Sequence, residues 1–177
     1  DNNGNDTTDT LTAHKNFFDA ADGPIHDDDT ATGSGDKVEG KVQYSPFHTT
    51  NALDDGVIDY RLKVTTSAPA TVYHTYFDQA LLENSATQIN VKRNVSGNHD
   101  LNVNNLKVTC DNQAEIFSGT ITISANGTNQ ANPLELHNCT LSNQVTITGN
   151  FAKVNNNIFN YEHAANYALI STAAAVN

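Results

Sequence analysis

The sequence predicts an all-β fold, a parallel β-helix or solenoid with a long loop and a short cap, and three observations carry that prediction. From residue 57 onward, VIDYRLKVTT, ATVYHTYF, INVKRNV, LNVNNLKVT, EIFSGTITIS, LELHNCTLS, QVTITG and AKVNNNIF alternate apolar and polar residues with period two. Helical periodicity is nearly absent. FDQALLEN (77–84) and YEHAANYAL (161–169) are the two stretches that read as short helix, the second favoured by its alanines. Finally, LTAHKNFF (11–18), LNVNNLKV (101–108), LELHNCTL (134–141) and AKVNNNIF (152–159) align without gaps. Their first and third positions are small or apolar, so those two side chains share one face of a strand. Asn, His or Lys fills the fourth and fifth, where a corner turns the chain. Asn suits such corners because it tolerates left-handed backbone, and stacked Asn side chains hydrogen-bond from coil to coil. The alternative is a β-sandwich whose short strands look alike because the composition is repetitive.

The elements follow in order. Residues 1–10 carry no apolar side chain and read as loop or strand lead-in. Residues 11–18 are the first strand and corner. Residues 19–40, rich in Asp, Gly and Thr, read as a long acidic loop, and 51–56 punctuate again. The division expected is 1–50, a strand with an aromatic segment and loop, and 51–177, solenoid coils. Residues 57–100 belong either to those coils or to a separate small β-module. The aligned segments start 33 and then 18 residues apart at Leu101, Leu134 and Ala152, as coils of ~20 residues with insertions would be.

Composition narrows the function. Nine basic against 20 acidic residues give a net charge of −11, which opposes nucleic-acid and anionic-membrane binding. No apolar run approaches the ~20 residues that insert across a bilayer. Charged residues are 16%, so the polarity rests on uncharged groups, 25 Asn and 21 Thr among them. The sequence begins at Asp1 and holds no Met, which reads as a mature secreted form, a fragment, or a chain whose start is not seen. Sequons at Asn5, Asn94, Asn126 and Asn138 lean toward an extracellular or cell-surface location. Cys110 and Cys139 are either one disulfide of an oxidising compartment or two buried reduced thiols.

Residues 15–47 carry a resemblance. Asn16, Phe17, Phe18, Gly23 and Pro24, then Asp36, Val38, Gly40, Val42, Tyr44, Ser45, Pro46 and Phe47, resemble the segment that closes right-handed parallel β-helix repeats of large secreted surface proteins. Phe stands where that segment has Trp, and Asp19 where it has Gly. The resemblance implies a β-helix and a scaffold. Physically, Phe17, Phe18, Tyr44 and Phe47 offer apolar area at ~25 cal/mol per Å² buried, enough to plug an open solenoid end. In the resembling proteins this segment comes last, whereas here it comes first. The final ALISTAAAVN, with Ile170, has no closing segment after it. Two arrangements fit: one unit of a tandem array, or separate copies stacked head to tail, with Phe17, Phe18, Tyr44, Phe47 and Ile170 at the interface.

Catalytic sets are hard to find. A β-elimination lyase wants an Arg or Lys base beside calcium-binding carboxylates, but Arg61 and Arg93 have no such cluster at strand spacing. A glycosidase wants two carboxylates ~5–9.5 Å apart, while Glu115 and Glu135 are isolated in sequence. His14 and His137 fall at equivalent pattern positions and read as corner residues. Calcium is the one cofactor the loops offer, through Asp1, Asn3 and Asn5 or through Asp27 and Asp29, since it takes six to eight oxygens. Tyr60, Tyr73, Tyr76 and Phe77 are candidates for stacking on glycans. TITIS (120–124) and VTIT (145–148) are too few for the Thr rows of an ice-binding surface. The expectation is a non-enzymatic extracellular structural or adhesive subunit. Its partners are other copies of itself, in a filament, stalk or surface layer. The alternative is a carbohydrate-binding or polysaccharide-lyase-like module. The calcium reading predicts that EDTA lowers the thermal midpoint; an unchanged midpoint removes calcium as a structural cofactor.

Overall fold

The computed structural model describes residues 11–26, 33–40, 42–51, 58–68, 70–111, 116–160 and 168–171. The chain divides into two compact units, residues 1–59 and 60–177. That boundary lies nine residues past the expected one. Strands of residues 62–91 share one sheet with strands of the coils that follow.

In the first unit, short strands alternate with corners. They are β1 (Leu11–Thr12), β2 (Ile25–His26), β3 (Lys37–Val38), β4 (Val42–Gln43), β5 (Phe47–His48) and β6 (Ile58–Asp59). β1 runs parallel to β4, β2 runs parallel to β3, and β5 is antiparallel to β6. Val42, Tyr44 and Phe47 form the core, with Ala13, Phe18 and Val38 packed on it. The Tyr44 ring meets Phe18 at 6.3 Å, Phe47 at 6.2 Å and His26 at 5.8 Å. Gly23 is required here: its φ is +90°, and a Cβ would lie 2.8 Å from Cζ of Phe47. Asp19, where the resembling segment has Gly, also takes a positive φ, 60°.

The second unit begins with antiparallel strands and continues as a parallel coil. β7 (Leu62–Thr66) and β8 (Thr71–His74) form a hairpin, and the helix α1 (Phe77–Leu81) follows. Then come β9 (Ala86–Val91), β10 (His99–Leu101), β11 (Lys107–Cys110), β12 (Ile116–Phe117), β13 (Ile121–Ile123), β14 (Leu134–His137), β15 (Thr140–Leu141), β16 (Val145–Ile147), β17 (Ala152–Asn155), β18 (Ile158–Phe159) and β19 (Leu169–Ser171). These make about three turns with three faces. One face is a six-stranded sheet ordered β17-β14-β11-β9-β7-β8. The second is β12-β15-β18, and the third β10-β13-β16-β19. All coil-to-coil pairings are parallel, while β7 meets β9 and β8 antiparallel.

Period-two alternation explains the core. Ile89, Val108 and Leu136 stack inward on the first face, Val95, Phe117 and Leu141 on the second, and Leu101, Ile123 and Ile147 on the third, all buried. α1 covers one end. Its Phe77, Ala80 and Leu81 are buried, and the Phe77 ring lies 5.2 Å from Phe117 and 4.9 Å from His99. Asp78 Oδ1 lies 2.8 Å from His99 Nδ1, which pins the helix to β10. The helix thus forms in FDQALLEN. Residues 161–167 of the other helical candidate lie outside the described residues, and Leu169 stands in β19.

The corners follow the aligned segments. Lys15, Asn105, Asn138 and Asn156, the fifth residue of each, have φ of 58°, 57°, 60° and 55°. Non-glycine residues rarely adopt this region, and Asn is enriched there. The alignment of 134–141 with 152–159 is the register itself, Leu134 opposite Ala152 through Leu141 opposite Phe159. The alignment of 101–108 is not. Leu101 closes β10 opposite Ile123, so that segment rounds a different corner with the same local conformation.

Asn amides link the coils. Asn104 Oδ1 accepts the Asn126 N–H at 3.0 Å, and Asn126 Oδ1 accepts the Asn150 N–H at 2.7 Å. Asn98 Oδ1 accepts the N–H and hydroxyl of Thr120, and Asn105 Oδ1 those of Thr128. Asn156 donates to Asn138 Oδ1, and Asn157 Oδ1 accepts the Cys139 N–H at 2.8 Å. Gly119 belongs to the same set of contacts, for a Cβ there would lie 1.8 Å from the Gly97 carbonyl oxygen. Cys110 and Cys139 are joined by a disulfide that closes 29 residues between adjacent coils. Replacing both cysteines with Ser is expected to cost about 3.5 kcal/mol in urea unfolding, from the loop length alone. A loss under about 1 kcal/mol would mean that the ladder holds the unfolded loop without the bond.

Candidate functional site

The outward surface of the six-stranded sheet brings together the most chemistry. Because inward Leu62, Val64, Ile89, Val91, Val108, Leu134 and Leu136 are buried, the residues between them project to solvent. Register sorts them into two rows. One runs Thr71, Thr65, Gln88, Lys107, Glu135, Lys153, and the other Tyr73, Lys63, Asn90, Thr109, His137, Asn155. Tyr60, Lys92 and Asp111 extend the surface. The Tyr60 and Tyr73 rings lie 5.5 Å apart, and Lys92 Nζ sits 5.2 Å from the centre of the Tyr60 ring. The Tyr60 hydroxyl donates to Asp111 Oδ2 at 3.1 Å, and Asn90 Nδ2 donates to Asp111 Oδ1 at 3.4 Å. Lys107 Nζ lies 3.2 Å from Glu135 Oε2.

The other predicted residues fall elsewhere. Asp1, Asn3, Asn5, Asp27 and Asp29, the calcium candidates, lie outside the described residues, as does Glu115. Phe17 and Phe18 are half-buried, whereas Tyr44 and Phe47 are buried in the first unit and offer a partner no surface. Ile170 is half-buried on β19. Phe77 is a core residue under the cap, which removes it from the glycan-stacking set. Arg61 is 4% exposed, and its guanidinium donates to the Asn94 carbonyl at 3.1 Å and 2.6 Å, so it is a clamp on the corner rather than a base. Among the described residues, no cluster of three or more His, Cys, Asp or Glu is placed to hold a metal ion. Among the described residues, no helix is long and apolar enough to cross a membrane.

Lys63, Lys107, Lys153 and Asp111 were not singled out by sequence reasoning. Their signal was their polar phase in the alternation, but the phase becomes a surface only once the register is known. No family model, no curated protein and no solved structure matches this chain.

Burial, and then the adjacent Lys107, lower the pKa of His137 from 6.5; Lys153 adds to the shift and Glu135 opposes it. A histidine with a depressed folded pKa binds its proton more readily in the unfolded chain. Its contribution to folding is therefore intact above 6.5 and is lost as pH falls through 6.5 toward the lowered folded value. Ring-proton NMR should place the His137 midpoint below 6.5, and Lys107→Gln should move it upward. A midpoint at or above 6.5 would contradict the geometry of this row.

Proposed function

We propose that this chain is a non-enzymatic extracellular structural or adhesive subunit that self-associates head to tail through an open solenoid end. The observation that carries the reading is the contrast between the two ends of the coil stack. At the α1 end the inward rows are covered. At the other end two of the inward rows finish on exposed apolar side chains, while the Leu134 row ends on buried Ala152 and the Ile147 row on Ser171. Below Phe117 and Leu141 lies Phe159, 37% exposed, and below Ile121 and Val145 lies Leu169, 42% exposed. Ile158 is exposed beneath buried Thr140. The outer edges of β17, β18 and β19 have no strand beside them among the described residues. A strand edge lined with apolar side chains is a template for adding another strand.

The first unit offers a complementary edge. β1 pairs with β4 and β2 with β3, each in a two-stranded sheet, and Leu11 and Ile25 are exposed. Leu11 is 67% accessible, more than a strand apolar residue ordinarily leaves to water. Addition of one copy's β1 edge to another's β17–β19 edge is a heterologous contact, which repeats from copy to copy and builds a filament where its rotation does not close a ring. The disulfide and the sequons support an oxidising, extracellular setting.

Sedimentation velocity over a rising concentration series tests the reading. The wild-type chain is expected to grow in weight-average mass, and electron microscopy to show linear assemblies. Phe159→Asp with Leu169→Asp, on the rim rather than in the core, is expected to hold the chain monomeric with its thermal midpoint preserved. A wild-type chain that stays monomeric at the highest concentration would overturn the filament.

A further inference from the structure

We propose that the outward face of the six-stranded sheet binds an anionic polysaccharide, one that carries carboxylate or sulfate groups along its length. The chain as a whole is acidic, at −11, yet four of its nine basic residues, Lys63, Lys92, Lys107 and Lys153, stand on this one surface. Among the described residues two carboxylates, Glu135 and Asp111, stand on this surface, and both are engaged. Glu135 pairs with Lys107, and Asp111 accepts from Tyr60 and Asn90. The surface therefore presents excess positive charge where the rest of the chain repels anions.

The spacing favours a polysaccharide. Lys63 on β7, Lys107 on β11 and Lys153 on β17 occupy every second strand of the sheet. Strands lie ~4.8 Å apart, so a lysine recurs about every 9.6 Å along the stack, with Lys107 shared with Glu135 and Lys63 displaced by two residues along its strand. That is comparable to the length of two sugar rings, the interval at which many acidic glycans repeat their charge. Duplex nucleic acid carries a charge every ~1.7 Å and would meet far too few cations against a net repulsion. Between the lysines stand hydroxyls and amides, Thr65, Gln88, Asn90, Thr109 and Asn155, which match sugar hydroxyls as donors and acceptors. The paired rings of Tyr60 and Tyr73 offer the apolar ground on which a sugar ring stacks. The groups sit on a hydrogen-bonded sheet, so little ordering is lost on binding.

Titration calorimetry on the whole chain tests this with an oligogalacturonate as the carboxylate probe and a heparin-derived oligosaccharide as the sulfate probe. Either is expected to bind, with affinity falling as NaCl rises. Lys63→Gln combined with Lys153→Gln leaves the Lys107–Glu135 pair intact and is expected to weaken binding at least tenfold. Tyr73→Ala is expected to weaken it with the salt dependence retained, and serves alone if the double variant does not fold. Thr122→Val, on the third face, should leave binding unchanged. Failure to bind both acidic probes would overturn the proposal, as would equal affinity for neutral cellohexaose or for a single-stranded oligodeoxynucleotide. So would self-association that the Lys63→Gln, Lys153→Gln variant abolishes, since the face would then belong to a second copy.

Discussion

Parallel pairing across coils is the constraint on which the second unit depends. A coil of this chain cannot satisfy its own backbone. β11 takes its bonds from β9 and β14, β13 from β10 and β16, and β15 from β12 and β18. Burial is shared in the same way, because a row such as Ile89, Val108 and Leu136 is dry only when each member lies on the next. Corners must therefore repeat at the same height on every coil. Asn meets that requirement twice over. Its backbone accepts the left-handed turn at Asn105, Asn138 and Asn156, and its amide bonds the neighbouring corner, as at Asn104, Asn126 and Asn157. A stack built this way has two ends, and each must be covered by something other than another coil of its own chain.

Much of this was legible because it is local. Alternation marks the strands whatever they pair with, and a left-handed corner selects Asn in any context. The match of 134–141 with 152–159 proved to be the true register because strand, corner and strand recur there at one spacing. The same local grammar misled at 101–108, where an Asn corner joins β10 to β11 instead of β14 to β15. Nothing in a strand's alternation says whether its neighbour is parallel, so the antiparallel β7–β8 hairpin was not foreseeable. The outward surface depends on that hairpin, since it sets Tyr73 beside Lys63, whose other neighbour is Asn90. Arg61 was hidden for another reason. A buried guanidinium is tolerable only with acceptors in place, and the Asn94 carbonyl is positioned by a corner that composition does not reveal.

The unit thus separates its tasks by face. Aliphatic rows inside provide stability, and the disulfide between Cys110 and Cys139 ties adjacent coils. The rim of β17, β18 and β19 carries the exposed apolar side chains Ile158, Phe159 and Leu169, whereas the outward face of the largest sheet is polar, cationic and aromatic. Strand addition needs an edge and glycan binding needs a face, so the two proposed roles use different atoms. A rigid stack also multiplies whatever its face binds, because successive copies would present the same rows along one axis.

The register of the coils is the claim from which the rest follows. It is tested most directly by cysteine pairs on the third face, where Thr122 stands opposite Thr146 and both are partly accessible. A chain with Thr122→Cys and Thr146→Cys, treated with a short thiol-specific cross-linker, is expected to bridge rapidly and intramolecularly. The offset pair Thr122→Cys and Thr148→Cys should bridge far more slowly. Equal rates, or a faster offset pair, would contradict the parallel stack described here.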